Sequence, residues 1–177
     1  MPTINRESAA LLAVDFQSRL MPAIDDGIQV VANARRLLDA AEMLQVPILF
    51  TEQNANGLGS TVPELRSDTG RLVHKMTFDA CRTAGFLEAT LGRHDVIVSG
   101  CEAHVCVLQT VMGLLNAGRR IYVVRDAVGS RRSENKDAAI RRMERNGAEI
   151  VTTEMVVFEW LETAEHPRLR DIVALIK

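Results

Sequence analysis

The alternation of short apolar runs with helix-like patterns constrains the fold of this chain more than any other feature. Apolar runs at 9–14 and 47–50 flank the stretch 28–45, in which apolar residues recur on one helical face. This order predicts a β-α-β unit. Parallel strands need crossover connections of this kind, and the crossovers bury both faces of the sheet.

The same alternation continues towards the C-terminus. It predicts strands at 72–75, 96–99, 121–124 and 149–151, and helices at 86–91, 104–116, 135–146 and from a cap at Thr153 to Leu161. About five or six strands interleaved with helices predict a doubly wound α/β fold, with a mainly parallel sheet and helices on both faces. Since no repeat or linker divides the sequence, we expect one domain over residues 1–177. The apolar segment 160–175 is compatible with packing on a partner or on the chain's own sheet.

Charge and cysteine content narrow the class of protein. The chain has 21 Lys and Arg against 23 Asp and Glu, without a sustained basic run, so we expect no nucleic-acid or membrane partner. Arg6 and Glu7 stand where a signal peptide would be apolar, which favours a cytoplasmic protein. Cys81, Cys101 and Cys106 are odd in number and unpaired in spacing, so we predict free thiols in a reducing compartment.

Three reactive side chains stand at predicted strand ends. Asp15 follows the first strand, Lys75 ends the third, and Cys106 lies just past the fourth. Taken singly, they fit a turn-forming Asp, a surface Lys and a buried small Cys. Ligands of open parallel sheets bind beyond the carboxyl ends of the strands, so the three residues together predict a nucleophile site. There, a helix start and a nearby ammonium would lower the pKa of the thiol, and the carboxylate would take its proton.

Other chemistry has weaker support in the sequence. Cys101 and Cys106 are too far apart for a CxxC pair and no zinc-binding pattern is present, so we expect neither a metal nor a cofactor. The segment 57–59 begins like a phosphate-binding loop, but Val62 replaces the next glycine and no Lys-Ser or Lys-Thr follows. The GxSxG motif of serine hydrolases is absent as well.

Several of these segments together resemble the isochorismatase-like cysteine hydrolase family. The resemblance rests on Val14-Asp15-Phe16-Gln17, on Lys75 at a strand end, on Ser-Gly-Cys-Glu-Ala-His-Val-Cys-Val at 99–107, and on Asp-Ala-Val-Gly-Ser-Arg at 126–131 after the predicted fifth strand. It extends from about residue 10 to about residue 155. The segments 51–53, 57–65 and 102–106 are most similar to the branch called isochorismatase domain-containing proteins.

The resemblance implies roles for individual residues. Asp15 would be the general base, Lys75 the stabilising and orienting group, and Cys106 the nucleophile. A cis peptide would join Cys101 to Glu102, and the backbone amides of Glu102 and Cys106 would form an oxyanion hole. These roles imply hydrolysis of a small amide at its C–N bond through a thioester, and the resemblance also implies a homo-oligomeric protein.

Two related activities fit the sequence less well. Isochorismatases proper cleave a vinyl ether and tend to lack the cysteine that stands here at position 106. Nicotinamidases bind a metal through an Asp and two His, and the histidines of this chain do not match that cluster. We therefore predict a cysteine hydrolase that works without a metal.

The candidates for substrate contact are side chains beside the three catalytic candidates in sequence: Phe16, Gln17, Leu20, Met21, Gln53, Phe78 and His104. Core packing explains Phe16, Leu20 and Phe78 about as well. His104 could protonate a leaving group or cap a helix, and an acid such as Glu102 is favoured at a helix start in any case. Two other functions stay open: a non-catalytic oligomeric binding or redox-responsive protein using Cys106, and a flavodoxin-like cofactor-binding protein.

Overall fold

One six-stranded sheet organises the chain, of which the computed structural model describes residues 3–90 and 94–177. The strands are β1 (Ala9–Val14), β2 (Ile48–Gln53), β3 (Arg71–Lys75), β4 (Asp95–Cys101), β5 (Arg120–Gly129) and β6 (Glu149–Val151). Their order in the sheet is β3-β2-β1-β4-β5-β6, and every neighbouring pair is parallel. The predicted doubly wound α/β fold is confirmed.

Seven α-helices connect or follow these strands in the described ranges. They are α1 (Gly27–Met43), α2 (Ala55–Leu58), α3 (Phe86–Ala89), α4 (Leu108–Asn116), α5 (Ser133–Arg145), α6 (Thr153–Leu161) and α7 (Leu169–Ile176). Short 3₁₀ turns lie at Met21–Ala23, Pro63–Leu65 and Ala80–Arg82. In this part of the chain, no helix is long and apolar enough to cross a membrane.

Two hydrophobic cores lie on opposite faces of the sheet, because successive side chains of a strand point to opposite sides. Leu11 of β1 packs in a first core with side chains of α1, α6 and α7, and Leu12 packs in a second core with those of α4 and α5. The C-terminal segment belongs to the first core, where Trp160 and Ile172 are fully buried. It therefore folds back on its own chain.

Several predicted boundaries differ from the observed ones. Strand β5 continues to Gly129, so Asp126 lies within the strand rather than after it. The predicted helix 104–116 is divided into a π-helical turn, Ala103–Val107, and α4. Thr152, and not Thr153, caps α6 by accepting a hydrogen bond from the backbone N–H of Met155. The helix predicted at 86–91 ends at Ala89, and position 91 lies outside the described residues.

A close approach of β1 and β4 brings two strand ends together. Gly100 pairs with Val14 at the carboxyl end of both strands. A Cβ atom on Gly100 would overlap the carbonyl oxygen of Val14, and the φ of Gly100 is +134°, a value that favours glycine. Glycine at this position therefore lets Cys101 and the turn after it lie beside Asp15.

Candidate active site

Asp15, Lys75 and Cys106 meet beyond the carboxyl ends of β1, β3 and β4. The Nζ atom of Lys75 lies 2.7 Å from Oδ2 of Asp15, and both side chains are fully buried. Both groups lie close enough to Cys106 to shift the pKa of its thiol, and this residue is 6% exposed. The structure thus brings the three predicted catalytic residues into one cluster.

The backbone of Asp15 turns away from the strand direction, with a φ of 51°. Its carboxylate does not cap a turn, since Oδ2 accepts the hydrogen bond from Lys75 and Oδ1 accepts one from the Thr51 hydroxyl at 2.6 Å. Thr51 is buried and pairs with Val14 across β1 and β2. Sequence reasoning missed Thr51 as a partner of Asp15, although its place at the end of the neighbouring strand was a usable signal.

Lys75 also holds the segment that follows β3. Its ammonium donates to the carbonyl oxygens of Thr77 at 3.3 Å and of Phe78 at 3.5 Å. The hydroxyl of Thr110 on α4 also donates to the Phe78 carbonyl, at 3.4 Å, and accepts a hydrogen bond from the backbone N–H of Ala80 at 3.1 Å. The segment 77–80 is therefore fastened both to Lys75 and to the helix that follows Cys106.

Cys106 lies in the π-helical turn Ala103–Val107 between β4 and α4. The peptide bond between Cys101 and Glu102 is cis, at the position that the family resemblance implies. After it, the carbonyl oxygen of Glu102 accepts hydrogen bonds from the backbone N–H groups of Val105 and Val107, at 3.0 and 3.2 Å. This turn presents the thiol to Asp15 and Lys75.

The expectation that the pKa of Cys106 is lowered is wrong. Burial, as the largest cause, and then the charge of Asp15 raise the pKa of the Cys106 thiol to about 12, and the Lys75 ammonium opposes them only in part. The ammonium is already paired with Asp15, so the net charge that the pair presents to the thiol is close to zero. The resting thiol keeps its proton at neutral pH.

Glu102 and His104 connect the Cys106 turn to the loop after β5. The buried carboxylate of Glu102 accepts hydrogen bonds from the backbone N–H of Arg131 at 2.9 Å and from its Nε atom at 3.1 Å. Nδ1 of His104 lies 3.0 Å from the Ser130 hydroxyl oxygen, while Nε2 lies 3.5 Å from the amide nitrogen of Asn135. Sequence reasoning missed the partners Ser130, Arg131 and Asn135, because they lie far from Glu102 and His104 along the chain.

Most of the apolar candidates for substrate contact lie on the other face of the sheet from Cys106. Phe16, Leu20 and Met21 pack in the first core, whereas Cys106 packs in the second, on the other face of the sheet. Phe78, whose carbonyl contacts Lys75, is 49% exposed.

The two glutamine candidates are held by backbone groups. Gln17 is fully buried and donates both amide N–H groups, to the carbonyl oxygens of Gln53 at 3.1 Å and Gly59 at 2.6 Å. Its Oε1 atom accepts the backbone N–H of Gln53 at 2.9 Å. The side chain of Gln53 donates to the Met76 carbonyl at 3.4 Å. The polar atoms of Gln17 are therefore engaged in holding the end of β2.

A cleft of about 450 Å³ opens beside Lys75. Its lining includes Met76, Asn54 and Thr83, but not Cys106. Its volume lies within the range of small-molecule sites in proteins, which is about 300–1,000 Å³. Among residues 3–90 and 94–177, no group of three or more His, Cys, Asp or Glu side chains is arranged to hold a metal ion.

The buried thiol of Cys101 predicts a loss of stability in alkaline solution. Burial raises its pKa in the folded protein well above the usual range. The folded thiol keeps its proton and the unfolded thiol loses it above about pH 8.5, so rising pH favours unfolding. Between about pH 8.5 and about pH 10.5, we expect the wild-type protein to lose about 2 kcal/mol more unfolding free energy than Cys101→Ala, measured by urea denaturation. Equal pH slopes for the two proteins would contradict this account.

Comparison with known proteins identifies the family of this chain. A sequence profile described as the isochorismatase domain matches residues 9–155. Isochorismatase domain-containing protein 2A of Mus musculus is 36% identical over 172 residues, which cover 97% of this chain and 84% of the mouse protein. The chain belongs to the isochorismatase domain family, whose fold is that of a hydrolase.

Solved structures resemble the chain closely. The structure of a MAR1 ribonuclease from Caenorhabditis elegans has a TM-score of 0.93 and 36% identity, covering 99% of this chain and 92% of that one. YcaC from Pseudomonas aeruginosa, solved with hexane-2,5-diol and covalent acrylamide, has a TM-score of 0.84 and 27% identity, covering 98% of this chain and 95% of that one. The common fold extends over nearly the whole chain.

Proposed function

We propose that the protein is a metal-independent cysteine hydrolase that cleaves the C–N bond of a small amide. One observation carries the proposal: Asp15 and Lys75, a buried carboxylate and a buried ammonium paired at 2.7 Å, both lie close enough to Cys106 to shift the pKa of its thiol. A nucleophile, a proton acceptor and an orienting cation are the groups that covalent acyl transfer needs. The covalent acrylamide on the Pseudomonas aeruginosa neighbour supports a reactive nucleophile in this fold, because acrylamide bonds to nucleophiles through its vinyl carbon.

The first half of the reaction forms an acyl-enzyme. The raised pKa of Cys106 means that the thiol needs a base, and Asp15 accepts the proton as the sulfur attacks the amide carbonyl carbon. The carbonyl oxygen becomes an oxyanion, which the backbone N–H groups of Glu102 and Cys106 stabilise. Collapse of this intermediate breaks the C–N bond, and the leaving amine takes the proton from Asp15. A thioester on Cys106 remains.

The second half of the reaction restores the enzyme. A water molecule gives a proton to Asp15 and attacks the thioester carbonyl carbon through a second oxyanion. The C–S bond breaks, the sulfur recovers the proton from Asp15, and the carboxylic acid leaves. Lys75, hydrogen-bonded to Oδ2 of Asp15, keeps the carboxylate oriented throughout.

An acyl-enzyme trap tests the proposed function. The protein is incubated with a library of small amides, quenched in acid and examined by mass spectrometry of the intact chain and of its peptides. We expect an acyl adduct on Cys106 and carboxylic acid in the medium for at least one amide, and neither with Cys106→Ala. The matched control Cys81→Ala, at a half-buried thiol outside the cluster, keeps both. Turnover that survives in Cys106→Ala would refute the proposal.

RNA cleavage is a second candidate function, because the Caenorhabditis elegans neighbour at 36% identity is a ribonuclease. The charges of this chain favour the amide, since the formal net charge is −2 and Lys75 is paired with Asp15. Incubation with a mixed RNA substrate separates the two. Cleavage that depends on Cys106 would favour the ribonuclease, and its absence beside an acyl adduct would favour the amidase.

The redox-responsive alternative has less physical support than the hydrolase. Oxidation by peroxide needs a thiolate that solvent reaches, whereas Cys106 is 6% exposed and burial raises its pKa. The expectations of a homo-oligomer and of a cytoplasmic location stay predictions.

A further inference from the structure

The ammonium of Lys75 has no hydrogen-bond donor left for a substrate. An ammonium carries three N–H groups. In this protein its acceptors are Oδ2 of Asp15 at 2.7 Å, the carbonyl oxygen of Thr77 at 3.3 Å and that of Phe78 at 3.5 Å. The side chain of Lys75 is fully buried, so water does not compete for these donors. Binding an anion at Lys75 would require breaking one of the three contacts.

The charges around Cys106 cancel in pairs. Asp15 is neutralised by Lys75. Glu102, four residues before Cys106, is neutralised by Arg131, whose Nε atom lies 3.1 Å from each of its two carboxylate oxygens. The thiol itself stays protonated at neutral pH, because burial and Asp15 raise its pKa.

The ring of His104 contacts two side chains of the segment that follows β5. Its Nδ1 atom is 3.0 Å from the Ser130 hydroxyl, and its Nε2 atom is 3.5 Å from the side-chain nitrogen of Asn135, a donor. The two ion pairs beside Cys106, Asp15 with Lys75 and Glu102 with Arg131, each carry no net charge.

A charged substrate group would enter this environment without a partner. Transfer of an unpaired carboxylate or ammonium from water into a buried site is strongly unfavourable, whereas a neutral amide loses only hydrogen bonds that backbone groups can replace. Asp15 does not offer a free partner for a cation either, since Thr51 and Lys75 donate to its two oxygens.

We propose that this site takes an uncharged amide and discriminates against amides that carry a carboxylate or an ammonium near the scissile bond. The inference deepens the proposed hydrolase function and rests on it. It follows from the pairing of Lys75 with Asp15 and of Arg131 with Glu102, which leaves neither cation free to act as a counter-ion for a substrate.

Thiol reagents that differ only in charge test the inference without turnover. Iodoacetamide and iodoacetate have nearly the same shape, and Cys106 labelling by each is followed by peptide mass spectrometry at neutral pH. The reference is labelling of the same peptide in the urea-unfolded chain. Once each rate is divided by its reference, we expect iodoacetamide to label folded Cys106 at least tenfold faster than iodoacetate. Methyl methanethiosulfonate should exceed its trimethylammonioethyl analogue by a similar factor.

A charged reagent whose normalised rate equals or exceeds that of its neutral partner would overturn the inference. The loss of labelling at this peptide in Cys106→Ala verifies the site.

Hydrolysis of succinamide, compared with hydrolysis of the isosteric but anionic succinamate, supplies a second readout. We expect at least a tenfold preference for succinamide. If neither amide is cleaved and no other amide acylates Cys106, the hydrolase function fails, while the labelling ratio still decides the charge preference. If succinamate is preferred, the function stands and the charge inference fails.

Discussion

Asp15→Asn is expected to lower amide turnover by at least about three orders of magnitude and, at the same time, to speed the labelling of Cys106 by iodoacetamide. Turnover falls because asparagine accepts no proton from the thiol, the amine or water. Labelling accelerates because the charge of Asp15 raises the pKa of Cys106 and that of Lys75 lowers it. Without the carboxylate, Lys75 acts on the thiol unopposed and the thiolate fraction rises.

The opposite directions of these two effects make the test specific. Wild-type Cys106, with a pKa of about 12, has about one thiolate in 10⁵ molecules at pH 7. We therefore expect at least a tenfold rise in the iodoacetamide rate for Asp15→Asn, with the rate at Cys81 as the internal control. A labelling rate that falls in parallel with turnover would mean that Asp15 supports the structure of the site rather than its proton transfer.

Lys75→Met is expected to lower the free energy of unfolding by about 3–5 kcal/mol. Methionine occupies a similar volume, but the substitution leaves the fully buried carboxylate of Asp15 without its ionic partner. Removing one member of a buried ion pair costs more than the pair contributes, because the remaining charge stays desolvated. Urea denaturation monitored by circular dichroism measures the change.

The double variant Asp15→Asn, Lys75→Met provides the decisive comparison. Its two buried side chains are both neutral, and we expect it to recover most of the stability that Lys75→Met loses. Arg168→Met is the matched control, since Arg168 and Asp171 form an ion pair with side chains 57% and 52% exposed. We expect that control to change stability by less than about 1 kcal/mol. A double variant as unstable as Lys75→Met would refute the account based on charge.

The sequence predicted the fold well because its signals are local. Apolar runs and helical periodicity depend on residues close together in the chain, so β1 and β6 were placed at their observed ends. The errors come from tertiary interactions. Pairing with β4 continues across a register shift between Val98 and Gly100, which extends β5 to Gly129. The π-helical turn at Ala103–Val107 has no periodicity that distinguishes it from the first turn of α4.

The candidate site was likewise predicted only in part. Strand-end positions and the family resemblance selected Asp15, Lys75 and Cys106, which the fold brings together. The partners Thr51, Ser130 and Arg131 were not assigned, because their contacts depend on the order of strands in the sheet and on the course of the loop after β5.

The sequence by itself predicted the order of strands and helices along the chain, the family and three candidate catalytic residues, since periodicity and motifs are properties of neighbouring positions. Only the tertiary structure decided the protonation of the thiol. Burial and the pairing of Asp15 with Lys75 depend on contacts between residues that are distant in sequence. Together they raise the pKa of Cys106, whereas a helix start alone would lower it. The same pairing leaves the site without a free counter-ion, and this favours an uncharged substrate.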